Sequence, residues 1–269
     1  NRIPKEKVDY IHEDLKVRKP TIEEAGRGVT RFCIGLAKKA IIANGCGSIA
    51  DHFFKVNAEV LSATAICGII LGLFAFGVQV YFDFSAYSDM AIGMGLMCGL
   101  HYKENFNYPL ISRSMVEFWR RWHISLGSFF RDYVYIPLGG NRRGNARTTL
   151  NKLLVFFLTG FWHGANFTFI VWGMIHGIFQ MLETYQIIPT KKKWFRCISH
   201  VYSMLVVVTS FVIFRAESLS RGFGVIGRMY TLSAGSGAVN REVFSCFNGL
   251  FILSFFTSNF SISCPQHTG

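Results

Sequence analysis

The chain has 269 residues, of which 51% are hydrophobic and only 16% charged, with a mean hydropathy of +0.30. A soluble domain needs more charge for its surface, about a quarter of its residues, and a disordered chain needs low hydrophobicity. Both classes are excluded, which leaves a membrane protein that nevertheless carries a net charge of +12.

That charge comes in blocks. Residues 1–39 hold ten Lys/Arg against six Asp/Glu, residues 101–152 nine against three, and residues 191–196 four against none. A nucleic-acid-binding module would gather its basic residues on one folded face. Here they alternate with long uncharged stretches, as cytoplasmic loops do between membrane spans. Membrane lipid is the expected partner and nucleic acid is not.

Along the chain, residues 1–27 read as a polar loop leading into an amphipathic segment, without a visible signal peptide. A polar start without Met suggests that the chain begins inside a longer protein. Residues 29–50 are moderately apolar but interrupted by Lys38 and Lys39, which suits an interfacial helix or a short span with snorkelling lysines. Residues 60–82 carry no formal charge over 23 positions, more than the ~20 that cross a bilayer core. Residues 84–100 are apolar apart from Asp89 and rich in small residues suited to close helix packing. Asp83 and Asp89 are expected to pair with Arg or to cap a helix. The block 101–152 ends in the turn signal Pro137-Leu138-Gly139-Gly140-Asn141, and residues 197–214 and 243–263 are further candidate spans. The seven cysteines (Cys33, Cys46, Cys67, Cys98, Cys197, Cys246, Cys264) form no CxxC pair and read as buried small hydrophobes.

Residues 153–182 are thirty positions without a formal charge, yet they contain His163 and His176. One helix of that length would be ~45 Å long, too long for a ~30 Å core, while two crossings need about 40 residues. Basic blocks flank both ends and both favour the cytoplasmic face. A tilted span, or an element broken near Gly160-Phe161-Trp162-His163-Gly164-Ala165-Asn166, would reconcile these facts. His163 then lies ~15 Å along the helix from Leu153, near mid-membrane depth. An ionisable residue there marks a chemical site, a hydrogen-bonded bridge between helices or a metal ligand, and the residues alone leave all three open. Gly164 would let a backbone or a substrate approach the imidazole, and Trp162 would wall the site or pack. His176 would fall on the opposite side of a continuous helix and pair with His163 only if the element breaks.

A second candidate is Glu117-Phe118-Trp119-Arg120-Arg121-Trp122-His123-Ile124-Ser125-Leu126. At helical spacing Trp119, Trp122, His123 and Leu126 share one stripe, with Arg120 and Arg121 beside it. An interfacial helix with snorkelling arginines has this pattern, although a histidine in the stripe faces protein rather than headgroups. Arg142, Arg143 and Arg147 set topology or meet phosphates.

Several runs then read together: Tyr81-Phe82-Asp83-Phe84-Ser85-Ala86-Tyr87-Ser88-Asp89, Glu104-Asn105-Phe106-Asn107-Tyr108-Pro109, Phe118-Trp119-Arg120-Arg121-Trp122-His123-Ile124-Ser125-Leu126, Phe130-Arg131-Asp132-Tyr133-Val134-Tyr135-Ile136-Pro137, and Phe161-Trp162-His163-Gly164-Ala165. The chain resembles the membrane-bound O-acyltransferase (MBOAT) family over about residues 25–230. It is most similar there to the branch formed by the integral membrane subunit of bacterial alginate O-acetyltransferase, and less so to the D-alanine-exporting branch.

The resemblance implies an all-α, multi-spanning membrane protein with short, broken or re-entrant helices. Residues 1–269 would form one membrane domain of the bacterial cytoplasmic membrane, lacking its N-terminal spans. It implies transfer of an acetyl group from a cytoplasmic donor, acetyl-CoA, towards hydroxyls of a cell-surface polysaccharide, through a periplasmic or extracellular acyltransferase partner, with no bound cofactor and no metal. By the family pattern His163 is the catalytic histidine and His123 the second motif histidine on the donor side. Arg120, Arg121 and Arg131 would meet the donor phosphates, and Trp162 and Trp119 would wall the site. A neutral imidazole can take a proton from an attacking hydroxyl, and apolar walls keep water from the thioester. The Trp162 N–H or nearby backbone N–H groups are candidate oxyanion donors. The alternatives from other classes are a proton-coupled transporter relaying protons through His163, a D-alanine-type acyl export subunit, and a structural scaffold.

Overall fold

The computed structural model describes residues 21–55 and 63–231, and among these every regular element is helical, as an all-α class requires. Residues 1–20 of the polar start and the span expected over 243–263 lie outside the described residues, while 22–27, expected in a polar loop leading into an amphipathic segment, are helical. The described chain divides into two compact units, residues 21–33 with 88–227, and residues 34–55 with 63–87 and 228–231.

Helix α1 (Ile22–Ala37) begins earlier than its apolar stretch because Thr21 and Glu24 cap each other. Thr21 Oγ1 accepts from the Glu24 N–H at 3.1 Å, and Glu24 Oε2 accepts from the Thr21 N–H at 3.1 Å, satisfying donors that a helix start leaves open. The helix runs on through a π-helical segment (Lys38–Ala43) into α2 (Asn44–Lys55), and Ile22–Asp51 is long and apolar enough to cross a membrane. Within the smaller unit, Ala43, Cys46 and Ile49 pack against Ala75, Val78 and Phe82. Lys39 pairs with Asp83, so this lysine meets a carboxylate instead of snorkelling freely. Helix α3 (Ala63–Met97) unites the two apolar stretches read as separate spans. Asp83, the charge between them, is neutralised by Lys39, and no proline breaks the 35-residue run.

In the larger unit Gly28 of α1 and Gly93 of α3 bring their backbones together. A Cβ on Gly28 would stand 2.7 Å from the Gly93 carbonyl, and one on Gly93 2.6 Å from the Gly28 carbonyl. Beside this contact Arg31 binds Asp89 at 2.9 Å and Glu104 at 2.6 Å, the pairing expected for Asp89. Of the cysteines, Cys46 is buried as expected, but Cys33, Cys98 and Cys197 lie on the protein's surface.

The uncharged 153–182 stretch is broken at the expected place. Helix α6 (Asn145–His163) stops at Gly164, and α7 (Phe167–Thr184) starts behind Asn166, whose side-chain oxygen accepts from the Thr168 N–H at 3.2 Å. The two form an antiparallel hairpin. At its open end Tyr185 donates to the Asn145 carbonyl at 3.1 Å and pairs with Thr149. Further along, Gly160 lies against the Phe169 carbonyl and Gly173 against the Phe156 carbonyl, so closely that no Cβ would fit. The limbs are about 28 and 27 Å long by helical rise, and near the open end Lys152 donates to Thr184 Oγ1. The stretch therefore turns back on itself, and its two flanks leave the hairpin on the same side. Short helices α4 (Met115–Arg121) and α5 (Ile124–Phe130) precede it, and α8 (Ser199–Arg215) and α9 (Leu219–Thr231) follow.

Candidate active site at the hairpin tip

His163 is the last residue of α6 and half-buried. Its imidazole is surrounded by aromatic rings, with centroids at 5.0 Å for Trp162, 5.0 Å for Trp172, 5.4 Å for Phe214 and 6.4 Å for Phe169. Among the described residues neither ring nitrogen has a hydrogen-bond partner. Gly164 permits this arrangement, because a Cβ there would lie 2.8 Å from the Phe169 ring.

His123 does not sit in a helical stripe. The expected single helix is two helices of seven residues each, α4 and α5. Trp122 is extended between them and His123 takes the left-handed conformation with φ 46°. Neither short helix is long enough to span. Asn105 makes this break, since its carbonyl accepts from the Ile124 N–H at 2.9 Å and its Oδ1 from the Ser125 N–H at 3.1 Å. These bonds offset the cost of a non-glycine residue at positive φ, about 1–3 kcal/mol. Because a backbone N–H can only donate, the atom facing Ser125 must be the amide oxygen. His123 Nδ1, 3.2 Å from that oxygen, is therefore the protonated nitrogen, and Nε2 carries the lone pair. Burial, and secondarily the proximity of His163, lowers the His123 imidazole to about 4, so this ring is neutral near pH 7. Trp162 stands between the two histidines, 6.1 Å from His123 and 5.0 Å from His163.

The remaining predicted residues separate. Trp119 contacts Phe156, Trp172 and His176 at 5.2, 5.8 and 5.3 Å, one layer behind His163. Trp162 is 59% exposed and forms the open side of the tip. Arg121 binds Glu117 at 2.9 Å and the Asn107 carbonyl at 3.1 Å. Arg131 binds Asp132 at 2.8 Å. Arg120 is exposed and lies near Lys152.

The structure also brings in residues that the motifs did not single out. Glu183, 3% exposed, accepts from the Met115 N–H at 2.6 Å, the Val116 N–H at 3.1 Å and the Tyr202 hydroxyl at 3.0 Å. It thus caps α4 from α7 and fixes the helix that carries Trp119. The signal for it was its place as the first charge after thirty uncharged residues. His176 is fully buried, with Nε2 2.9 Å from Ser210 Oγ. The Ser210 hydrogen goes to the Val207 carbonyl at 2.8 Å, so His176 Nε2 is the donor.

The site is thus a half-buried histidine at the tip of a helical hairpin, beside a second, neutral histidine and walled by aromatic rings. The chain belongs to the MBOAT, membrane-bound O-acyltransferase, family, whose model matches residues 17–224. It is 45% identical over 214 residues to the Pseudomonas putida protein named "Probable alginate O-acetylase AlgI", covering 80% of this chain and 43% of that one. It is 38% identical over 209 residues to the peptidoglycan O-acetyltransferase of Helicobacter pylori, covering 77% and 39%. It is 28% identical over 205 residues to the teichoic acid D-alanyltransferase of Bacillus subtilis, covering 71% and 51%. The chain thus spans about half or less of the length of these relatives.

Proposed function

We propose that the protein is a multi-pass O-acyltransferase of the bacterial cytoplasmic membrane. It moves an acetyl group from acetyl-CoA on the cytoplasmic side towards hydroxyls of a cell-surface polysaccharide, through a periplasmic or extracellular acyltransferase partner. The observation that carries this reading is His163, whose nitrogens are uncommitted inside an aromatic enclosure. The names of the relatives, acetylases of alginate and peptidoglycan at higher identity than the D-alanyltransferases, favour acetyl as the group moved.

In this reading His163 takes the proton of the acceptor hydroxyl as its oxygen attacks the thioester carbonyl carbon. The C–O bond forms, the C–S bond breaks, and the thiolate leaves with the electron pair. The proton on the imidazolium then returns to the thiolate, giving the ester and CoA-SH. General-base help of this kind contributes about 10²–10⁴-fold. The buried Trp172 ring keeps water from that side of the imidazole, where it would hydrolyse the donor. His123, held in one tautomer by Asn105, orients Trp162. Arg120 is assigned to the donor phosphates, since Arg121 and Arg131 are engaged by Glu117 and Asp132.

The test uses membranes containing the full-length protein, acetyl-CoA labelled in the acetyl group, and surface polysaccharide. The His163→Ala variant is expected to lose transfer by about 10²–10⁴-fold while still inserting. Full acetylation by that variant, or proton flux in liposomes without label transfer, would overturn the reading.

A further inference from the structure

We infer that the basic turn at residues 191–196 and the outer face of α8 form a docking surface for an anionic phospholipid, its phosphate on the turn and its acyl chains along the helix. The inference is independent of the reaction proposed at His163. Helix α8 is apolar on the outside. Ile198 at its start, Val201 and Leu205 follow one another at three and four residues, hence on one face, and all three are exposed. The inner face carries Ser199, Ser203 and Ser210, all buried, beside Val206 and Val207. A helix facing water places its polar side chains outside and its aliphatic ones inside. Small hydroxyl residues inward and aliphatic residues outward are the pattern of a helix packed on its neighbours and bathed in lipid.

Where this face begins, the chemistry changes sign. Lys191, Lys192, Lys193 and Arg196 are all exposed, and residues 184–216 contain no Asp or Glu. Glu183, the carboxylate just before them, is taken up by Met115, Val116 and Tyr202. Among the described residues none of the four cations makes an ion pair, whereas Arg31, Lys39 and Arg121 each meet a carboxylate. Ammonium and guanidinium groups without a carboxylate suit a phosphate, and their uncompensated charge favours an anionic headgroup over a zwitterionic one. Between the cations stands Trp194, 62% exposed, a ring type that gathers at headgroup level. The turn is also ordered before any lipid arrives. Phe195 is buried and meets Tyr202 at 5.6 Å. The Phe195 N–H donates to the Lys192 carbonyl at 3.1 Å and the Ile198 N–H to the Phe195 carbonyl at 3.0 Å. Little backbone freedom is therefore lost on binding.

The experiment places the full-length protein in vesicles of phosphatidylglycerol and phosphatidylcholine, with bromine on the acyl chains of one lipid or the other. Tryptophan quenching is read as the difference between each protein and the same protein carrying Trp194→Phe, which isolates Trp194. Brominated phosphatidylglycerol is expected to quench Trp194 with an apparent affinity roughly tenfold or more above that of brominated phosphatidylcholine. The triple substitution Lys191→Gln, Lys192→Gln, Lys193→Gln is expected to cut that ratio by roughly tenfold or more, and Lys192→Gln alone by about fivefold. Absence of Trp194 quenching by either lipid means that protein or water covers this face, and overturns the inference. So does equal quenching by the two lipids, or a ratio that the triple substitution leaves unmoved. A raised KM for acetyl-CoA with an unmoved lipid ratio would assign the three lysines to the donor phosphates instead and overturn it as well.

Discussion

The tip and the middle of the α6–α7 hairpin each carry a histidine, and the two are used in opposite ways. At the tip His163 is half-buried and has no hydrogen-bond partner among the described residues. In the middle His176 is fully buried, donates to Ser210, and is enclosed by Phe118, Trp119 and Trp172 with centroids 6.2, 5.3 and 5.0 Å away. A base must be reachable and must have a free lone pair. A structural histidine gains from being neither reachable nor mobile. Two histidines thirteen residues apart in one uncharged stretch are therefore distinguished by access and commitment rather than by residue type.

The largest effect that would break this contrast is on stability. His176→Ala removes a fully buried ring and is expected to cost about 2–5 kcal/mol, read as thermal unfolding of the purified protein in detergent. His163→Ala is expected to cost about 1 kcal/mol or less. Equal losses for both variants would remove the distinction between a chemical and a structural histidine.

A smaller effect tests the close seam that holds the tip. Gly160→Ala forces a Cβ into the Phe169 carbonyl and is expected to cost about 1–3 kcal/mol through overpacking. Gly26→Ala in α1 meets open space and is expected to stabilise by about 0.5–1 kcal/mol through helix propensity. The same sign for both substitutions would mean that the hairpin seam is looser than described.

A pH-dependent effect concerns His123. Its folded value of about 4 lies below the ordinary value near 6.5, so the unfolded chain binds the proton more readily. The stability from the neutral ring is complete above about pH 6.5, falls as pH drops towards about 4, and changes no further below that. Melting temperatures taken from pH 7.5 to pH 4 should fall more steeply for the wild type than for His123→Gln. Parallel curves would remove His123 from the buried site.

The composition and the charge blocks made the membrane class legible, and the thirty uncharged residues between two basic blocks made a broken element one of two readings. Its break at Gly164 and Asn166 could be read from local chemistry. The break between α4 and α5 could not, because nothing in Trp119-Arg120-Arg121-Trp122-His123 ends a helix. It is imposed by Asn105, eighteen residues upstream of His123, through bonds that exist only in the folded chain. The union of two expected spans into α3 was hidden for a similar reason, since Asp83 ends nothing once Lys39 reaches it. The motif residues were visible through family resemblance, while Glu183 and Ser210 act through partners that spacing does not reveal.

The bond from Glu183 to the start of α4 also has a consequence for the order of assembly. Met115 and its carboxylate partner are 68 residues apart. During synthesis at 5–20 residues per second the first turn of α4 exists for about 3–14 s before its cap has been made. For that interval the segment bearing Trp119 and His123 has two backbone donors at Met115 and Val116 that this carboxylate cannot yet serve. The arrival of the end of α7 is thus the event that can lock the earlier segment into register. Assembly of the two histidine-bearing regions thus includes a late carboxylate, and newly made chains that stop short of residue 183 would carry the motifs without the cap that orders them.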